Sequence, residues 1–282
     1  MKTTIYLAFA GLLLAAAPAG AQTFYGVSYI DDQLISIDGQ TGLGTQIGSL
    51  TPGASPSGLA ASGGSLYTFD TTADRLLQIS PLTGATLNSF DIGVDNAVGE
   101  GGLAFNSAGQ GFLSTPLDDN SNATNDLFEF MPGGTATLIG TTTDSLAGLA
   151  FGTDGTLYAL GKGDGNLYTL NTSTGASTFV GNLGVSNDPA GGQPALSPIS
   201  ALTFNGPSLF ASVNDQIYTV DTTTGLATLD ALGTGGKGVG FSSISGVVSA
   251  AAVPEASSVI SFGALLSLGG LFVIRRRKVQ AA

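Results

Sequence analysis

Four short runs follow one another between residues 148 and 180: Gly148-Leu149-Ala150-Phe151, Thr156-Leu157-Tyr158-Ala159-Leu160, Asn166-Leu167-Tyr168-Thr169-Leu170 and Ser177-Thr178-Phe179-Val180. Each has the length of a strand and is too short for a helix, and the Gly, Asn and Asp between them are hairpin punctuation. Asn171-Thr172-Ser173-Thr174-Gly175 joins the third run to the fourth. An Asn or Asp opening such a turn accepts local backbone N–H bonds, and the closing Gly tolerates positive φ.

The same turn recurs along the chain. Thr41-Gly42, Thr83-Gly84, Thr174-Gly175 and Thr224-Gly225 close it, with Gly133-Gly134 in the equivalent place. Gly42, Gly84, Gly134, Gly175 and Gly225 lie 42, 50, 41 and 50 residues apart. This is the spacing of a four-stranded propeller blade, not of a helical repeat of about 34 residues. A second marker runs in phase: Gly58-Leu59-Ala60, Gly102-Leu103-Ala104-Phe105, Gly148-Leu149-Ala150-Phe151, Ala201-Leu202-Thr203-Phe204 and Gly238-Val239-Gly240-Phe241. The first unit begins at its second strand, Phe24–Ile30, and its missing inner strand is found at the far end, in 238–248. The expectation is an all-β fold over residues 22–250, a five-bladed β-propeller whose C-terminal inner strand closes the first blade and leaves no open edge. A β-sandwich or β-solenoid is the alternative. The unit pattern, Leu-Tyr then Asp-x-x-Thr-Gly then Ile-Gly, resembles the repeat of extracellular propellers.

The ends of the chain are of another kind. Residues 1–21 read as a signal peptide: Lys2, an apolar core from Ile5 to Ala17, and Ala19-Gly20-Ala21 before Gln22 as the cleavage pattern. Residues 256–274 carry no charge, and as a helix they reach about 28 Å, nearly a bilayer core. Arg275, Arg276, Arg277 and Lys278 follow at once, so the positive-inside rule places the tail 275–282 in the cytoplasm and the body outside. A linker, 251–255, joins the body to this segment.

Pro254 and Glu255, then an apolar helix, then the Arg cluster: this order resembles the PEP-CTERM sorting signal over about residues 253–278. The third motif position is Ala256 where the family has Pro. The resemblance implies an exported protein of a Gram-negative bacterium. It also implies signal peptidase and an exosortase as processing partners and a cut near Pro254-Glu255. The destination it implies is the cell surface or the extracellular, biofilm matrix, with exopolysaccharide or surface proteins as companions. A plain stop-transfer anchor is the alternative, with the helix keeping the body at the membrane.

Composition removes much chemistry. His, Cys and Trp are all absent, which excludes imidazole bases, thiol nucleophiles, disulfides and His/Cys zinc sites. Only Arg75, Lys162 and Lys237 are basic between residues 22 and 253, against 19 acids, so the body carries −16 and repels nucleic acid. Gly233-Thr234-Gly235-Gly236-Lys237-Gly238 fails as a phosphate loop because Ala231 and Gly238 stand where Gly and Ser or Thr are needed.

One loop has a ligand-like spacing. Counting from Asp118, oxygen-bearing residues fall at Asp118, Asn120, Asn122, Thr124 and Asp126, with Glu129 at the twelfth position, as in an EF-hand calcium loop. Ala123 replaces the usual Gly, and no helical pattern flanks the loop, so a long polar hairpin loop is the favoured reading. No cofactor is expected beyond calcium here. The functional expectation is a non-enzymatic binding or structural module of the envelope or matrix. The alternative is a glycosidase-like hydrolase with clustered carboxylates in the channel, which requires several acids converging on one pocket.

Overall fold

The computed structural model describes residues 23–252 apart from 29–30, 40–41, 100, 118–123, 186–199, 214–215 and 230–243. Third strands show how the sequence builds a blade. In Arg75–Ile79, Asp126–Phe130, Asn166–Leu170 and Gln216–Val220 the second, third and fifth residues are buried. Successive residues of a strand point to opposite faces, so this pattern needs cover on both sides. Wedging each sheet between two neighbours supplies it.

Among the described residues twenty strands form five sheets of four. The first blade takes β1 (Thr23–Ser28), β2 (Gln33–Asp38) and β3 (Gly44–Ser49). The second comprises β4 (Pro56–Ser62), β5 (Ser65–Asp70), β6 (Arg75–Ile79) and β7 (Thr86–Phe90). The third has β8 (Gly102–Phe105), β9 (Gly111–Thr115), β10 (Asp126–Phe130) and β11 (Thr137–Thr141). The fourth has β12 (Leu146–Phe151), β13 (Leu157–Gly161), β14 (Asn166–Leu170) and β15 (Ser177–Asn182), and the fifth β16 (Ser200–Asn205), β17 (Ser208–Val213), β18 (Gln216–Val220) and β19 (Ala227–Leu229). Strand β20 (Ile244–Ser249) then pairs with β1, Phe24 opposite Ser249, and completes the first blade. The chain is therefore an all-β five-bladed propeller closed by its C-terminal strand.

The inner strand of the first blade corrects one marker. Its Gly-Leu equivalent is Gly246-Val247, eight residues beyond Gly238-Val239; residues 238–241 lie outside the described set. A Cβ placed on Gly246 would strike the backbone of Gly58-Leu59, as one on Gly58 would meet Leu103 N at 2.6 Å and one on Gly102 would meet Leu149 N at 2.6 Å. Glycine thus fits the crowded axis in four blades, at Gly58, Gly102, Gly148 and Gly246, while the fifth accommodates Ala201.

Burial falls from axis to rim. Inner strands are almost wholly buried, whereas the outer strands β7 and β11 expose most residues. Aromatic pairs knit neighbouring blades: Tyr67 with Phe105, Phe112 with Phe151, Tyr158 with Phe204 and Phe24 with Phe210, at centroid distances of 5.1 to 5.6 Å. The signal peptide, the 256–274 helix and the basic tail lie outside the described residues. Among the described residues no helix is long and apolar enough to cross a membrane.

Candidate functional site

All inner strands run in one direction, which sorts the connections into two ends. First-to-second and third-to-fourth turns lie toward one mouth of the channel. Second-to-third turns and the linkers between blades lie toward the other. The two mouths differ in chemistry.

At mid-height Leu59, Leu103, Leu149, Leu202 and Val247 meet on the axis and leave no room for a water molecule between them. Below this plug opens a funnel of about 140 Å³, lined by Phe105, Phe151, Phe204, Ala61 and Val248. Thr203 is its polar residue, and the Thr203 hydroxyl oxygen accepts the N–H of Ser249 at 3.2 Å. Among the described residues no carboxylate lines the funnel or the plug.

The carboxylates gather at the other mouth. Of those described, Asp31, Asp32, Asp70, Asp74, Asp91, Asp95, Asp126, Asp144 and Asp164 stand in or beside its turns and linkers, and Asp38, Glu129, Asp154 and Asp221 toward the funnel end. Much of the acid-end group is stitched into the backbone, and none of it lines the funnel or the plug. Asp32 accepts the N–H of Gly53 at 3.0 Å, Asp70 those of Ser55 and Thr72 at 3.0 Å, and Asp74 those of Asn96 at 2.8 Å and Ala97 at 3.1 Å. In each case a second-to-third turn is tied to a linker that enters an inner strand. Asp32 and Asp74 adopt positive φ, 50° and 53°, which Asp tolerates. Asp144 accepts the hydroxyls of Thr143 and Ser177, Asp164 accepts the phenol of Tyr168 at 3.0 Å, and Asp91 pairs with Arg75 at 2.8 Å. Burial pushes the Tyr168 phenol well above its ordinary value. Asp154 and Asp221 are held below the usual carboxylate range by N–H donors, from Thr156 and from Thr223 and Thr224.

The calcium-like spacing is only partly placed. Asp118, Asn120 and Asn122 lie outside the described residues. Thr124 is exposed, and Asp126 accepts the Thr141 hydroxyl at 2.6 Å. Glu129, three residues further along β10, accepts the Gln110 amide at 2.8 Å and points to the opposite face. Among the described residues no three acidic, His or Cys side chains group closely enough to hold a metal ion. Ala19, Ala21, Gln22, Pro254, Glu255, Arg275, Arg276 and Arg277 also fall outside the described residues.

Asn125, in the same polar run, carries structural weight that its surroundings in sequence conceal. It is fully buried, its carboxamide oxygen accepts the N–H of Leu146 at 2.8 Å, and its amide donates to the Leu146 carbonyl at 3.0 Å. That clamp fixes the start of the fourth blade's inner strand.

No family model and no curated protein matches the chain. Solved structures do. A structure described as a nidogen/laminin complex is 12% identical, with 82% of this chain and 98% of that chain covered at a TM-score of 0.51. A gluconolactonase from Xanthomonas campestris is 14% identical, covering 74% and 76% at a TM-score of 0.47. A virginiamycin B lyase from Staphylococcus aureus is 14% identical, covering 72% and 67% at a TM-score of 0.42. Identity this low carries likeness of fold alone.

Proposed function

We propose that this protein is an exported, non-enzymatic β-propeller of the cell envelope or extracellular matrix, acting as a binding or structural module. Its PEP-CTERM-like tail holds it at the membrane until an exosortase releases it. One observation carries the non-enzymatic part: the axial plug and funnel are apolar, while the acid-end carboxylates other than Asp95 are engaged with backbone N–H groups, hydroxyls or Arg75. A carboxylate hydrolase needs two acids facing one cavity at fixed separation. Among the described residues no carboxylate lines the funnel or the plug. Export rests on the order of segments at the two ends of the sequence. With a body at −16, an anionic polysaccharide would need a bridging cation to bind directly.

Fractionation of the native host with intact-mass measurement tests this reading. Protein starting at Gln22 and lacking Arg275–Lys278 in the extracellular fraction is the expected result. Mature protein confined to the membrane with Arg275–Lys278 intact reduces the tail to a plain anchor. A cytoplasmic chain that keeps residues 1–21 overturns export.

A further inference from the structure

Strands β1 and β20 fix where the chain leaves the propeller. Thr23 pairs with Asp38 and Phe24 with Ser249, so the first and last described strands begin and end together, at the funnel mouth. The short helix 250–252 continues from that mouth. Only residues 253–255 separate it from the uncharged run at 256–274. Three extended residues reach about 10 Å. A six-residue strand spans about 20 Å, so the linker is too short to run past the body to its other end.

From this we infer that, in its tethered form, the propeller stands on the membrane funnel-first: the funnel mouth faces the lipid headgroups and the acid-rich mouth faces outward. The inference rests on the tether reading above, and charge agrees with it. First-to-second turns surround the funnel, at Ser62–Ser65, Asn106–Gln110, Gly152–Thr156 and Asn205–Ser208; with the third-to-fourth turns beside them, that end carries four described carboxylates, Asp38, Glu129, Asp154 and Asp221, and no described base. The opposite mouth carries the nine described aspartates, with Arg75 and Lys162 as the described bases. A bilayer surface containing anionic lipid repels that end more strongly, by a field that decays over about 10 Å at 0.1 M salt. Tether length and charge therefore select the same orientation. The surface left for partners is the acid-rich mouth, which suits cationic groups or a cation shared with an anionic polymer.

The chain contains no cysteine, so single-cysteine probes report cleanly. Ala108 and Thr153 are exposed on first-to-second turns, and Ala73 is exposed on a second-to-third turn. The full chain would be reconstituted in phosphatidylethanolamine/phosphatidylglycerol vesicles with Ala108→Cys, Thr153→Cys or Ala73→Cys carrying a fluorophore, and quenched by headgroup spin-labelled lipid. Unchanged melting temperatures establish that each variant is folded. Quenching several-fold stronger at positions 108 and 153 than at 73 is the expected result. Equal quenching, or stronger quenching at 73, in protein that floats with the vesicles overturns the orientation alone. Protein that does not float overturns the tether and the orientation with it. Disulfide crosslinks between copies through position 108 on the vesicle would show a second copy on that face, and also overturn the proposal.

Discussion

Gly84 lies directly against the backbone of Gly48 in the preceding blade: a Cβ on Gly84 would sit 2.8 Å from the Gly48 carbonyl carbon. The contact is reciprocal, since a Cβ on Gly48 would strike the Thr83 carbonyl. Gly140 meets Thr174-Gly175 and Gly181 meets Thr224-Gly225 in the same way. The Thr-Gly turns are therefore junctions between blades as well as turns within them. At the second-to-third junction Phe90 takes the position of Gly48, and the facing turn is Gly133-Gly134, tightened to a Gly134 N–H to Met131 carbonyl bond. Substituting Gly48→Ala forces backbone apart and costs about 2 kcal/mol in urea denaturation. The larger substitution Phe90→Leu, which meets no such wall, costs less than Gly48→Ala.

Leu149 is 3% exposed in the axial plug. Leu149→Ala removes about 3 kcal/mol of stability, within the range for buried leucines, and joins the new cavity to the funnel. Thermal or urea unfolding measures the loss.

Asp74 reaches 22 residues along the chain to hold Asn96 and Ala97. Asp74→Ala leaves two N–H groups without their acceptor, costs about 1–3 kcal/mol, and opens the 91–98 linker to limited proteolysis. Asp74→Asn, which keeps an acceptor oxygen, loses less. A linker as resistant as wild type in Asp74→Ala would remove the stitching role.

Stability depends on pH at both extremes. Tyr168 titrates in the folded chain above its unfolded value of about 10, chiefly through burial, with the charges of Asp164 and Asp144 adding to it. A raised folded pKa gives a contribution that is complete below the unfolded pKa and lost as pH rises toward the folded one. Stability therefore declines above about pH 10, and the decline is shallower in Tyr168→Phe. Asp154 and Asp221 are shifted the other way. Their contribution is present above about pH 4 and lost as pH falls below it, which Asp221→Asn flattens in part.

Millimolar calcium leaves the melting temperature unchanged, and Asp118→Ala behaves as wild type, because Asp126 and Glu129 face opposite sides of β10. A calcium-dependent rise in melting temperature, abolished by Asp118→Ala, would establish the loop as a site.

Much of this architecture is legible in sequence because it repeats. The Thr-Gly turn needs positive φ at Gly42, Gly84, Gly175 and Gly225, and that demand recurs at blade spacing. The fifth inner strand is harder to read, because Gly246-Val247-Val248-Ser249 lacks the closing Phe and Gly238-Val239-Gly240-Phe241 mimics it nearby. The carboxylate stitches are invisible locally: Asp74 and Asn96 lie on different blades' connections, and nothing near Asp74 distinguishes it from a solvated turn residue. The same holds for Asn125, whose partner Leu146 is 21 residues away.

Closure by β20 has a kinetic consequence. A ribosome delivers β1 to β3 before the other blades, yet the sheet they belong to stays three-stranded until residues 244–249 emerge. The last contacts to form are then among the most distant in sequence, such as Ser245 with the Pro56 carbonyl across 189 positions, and contacts of that separation slow folding. A chain truncated before Ile244 exposes the unpaired edge of β1, and we expect it to aggregate instead of refolding.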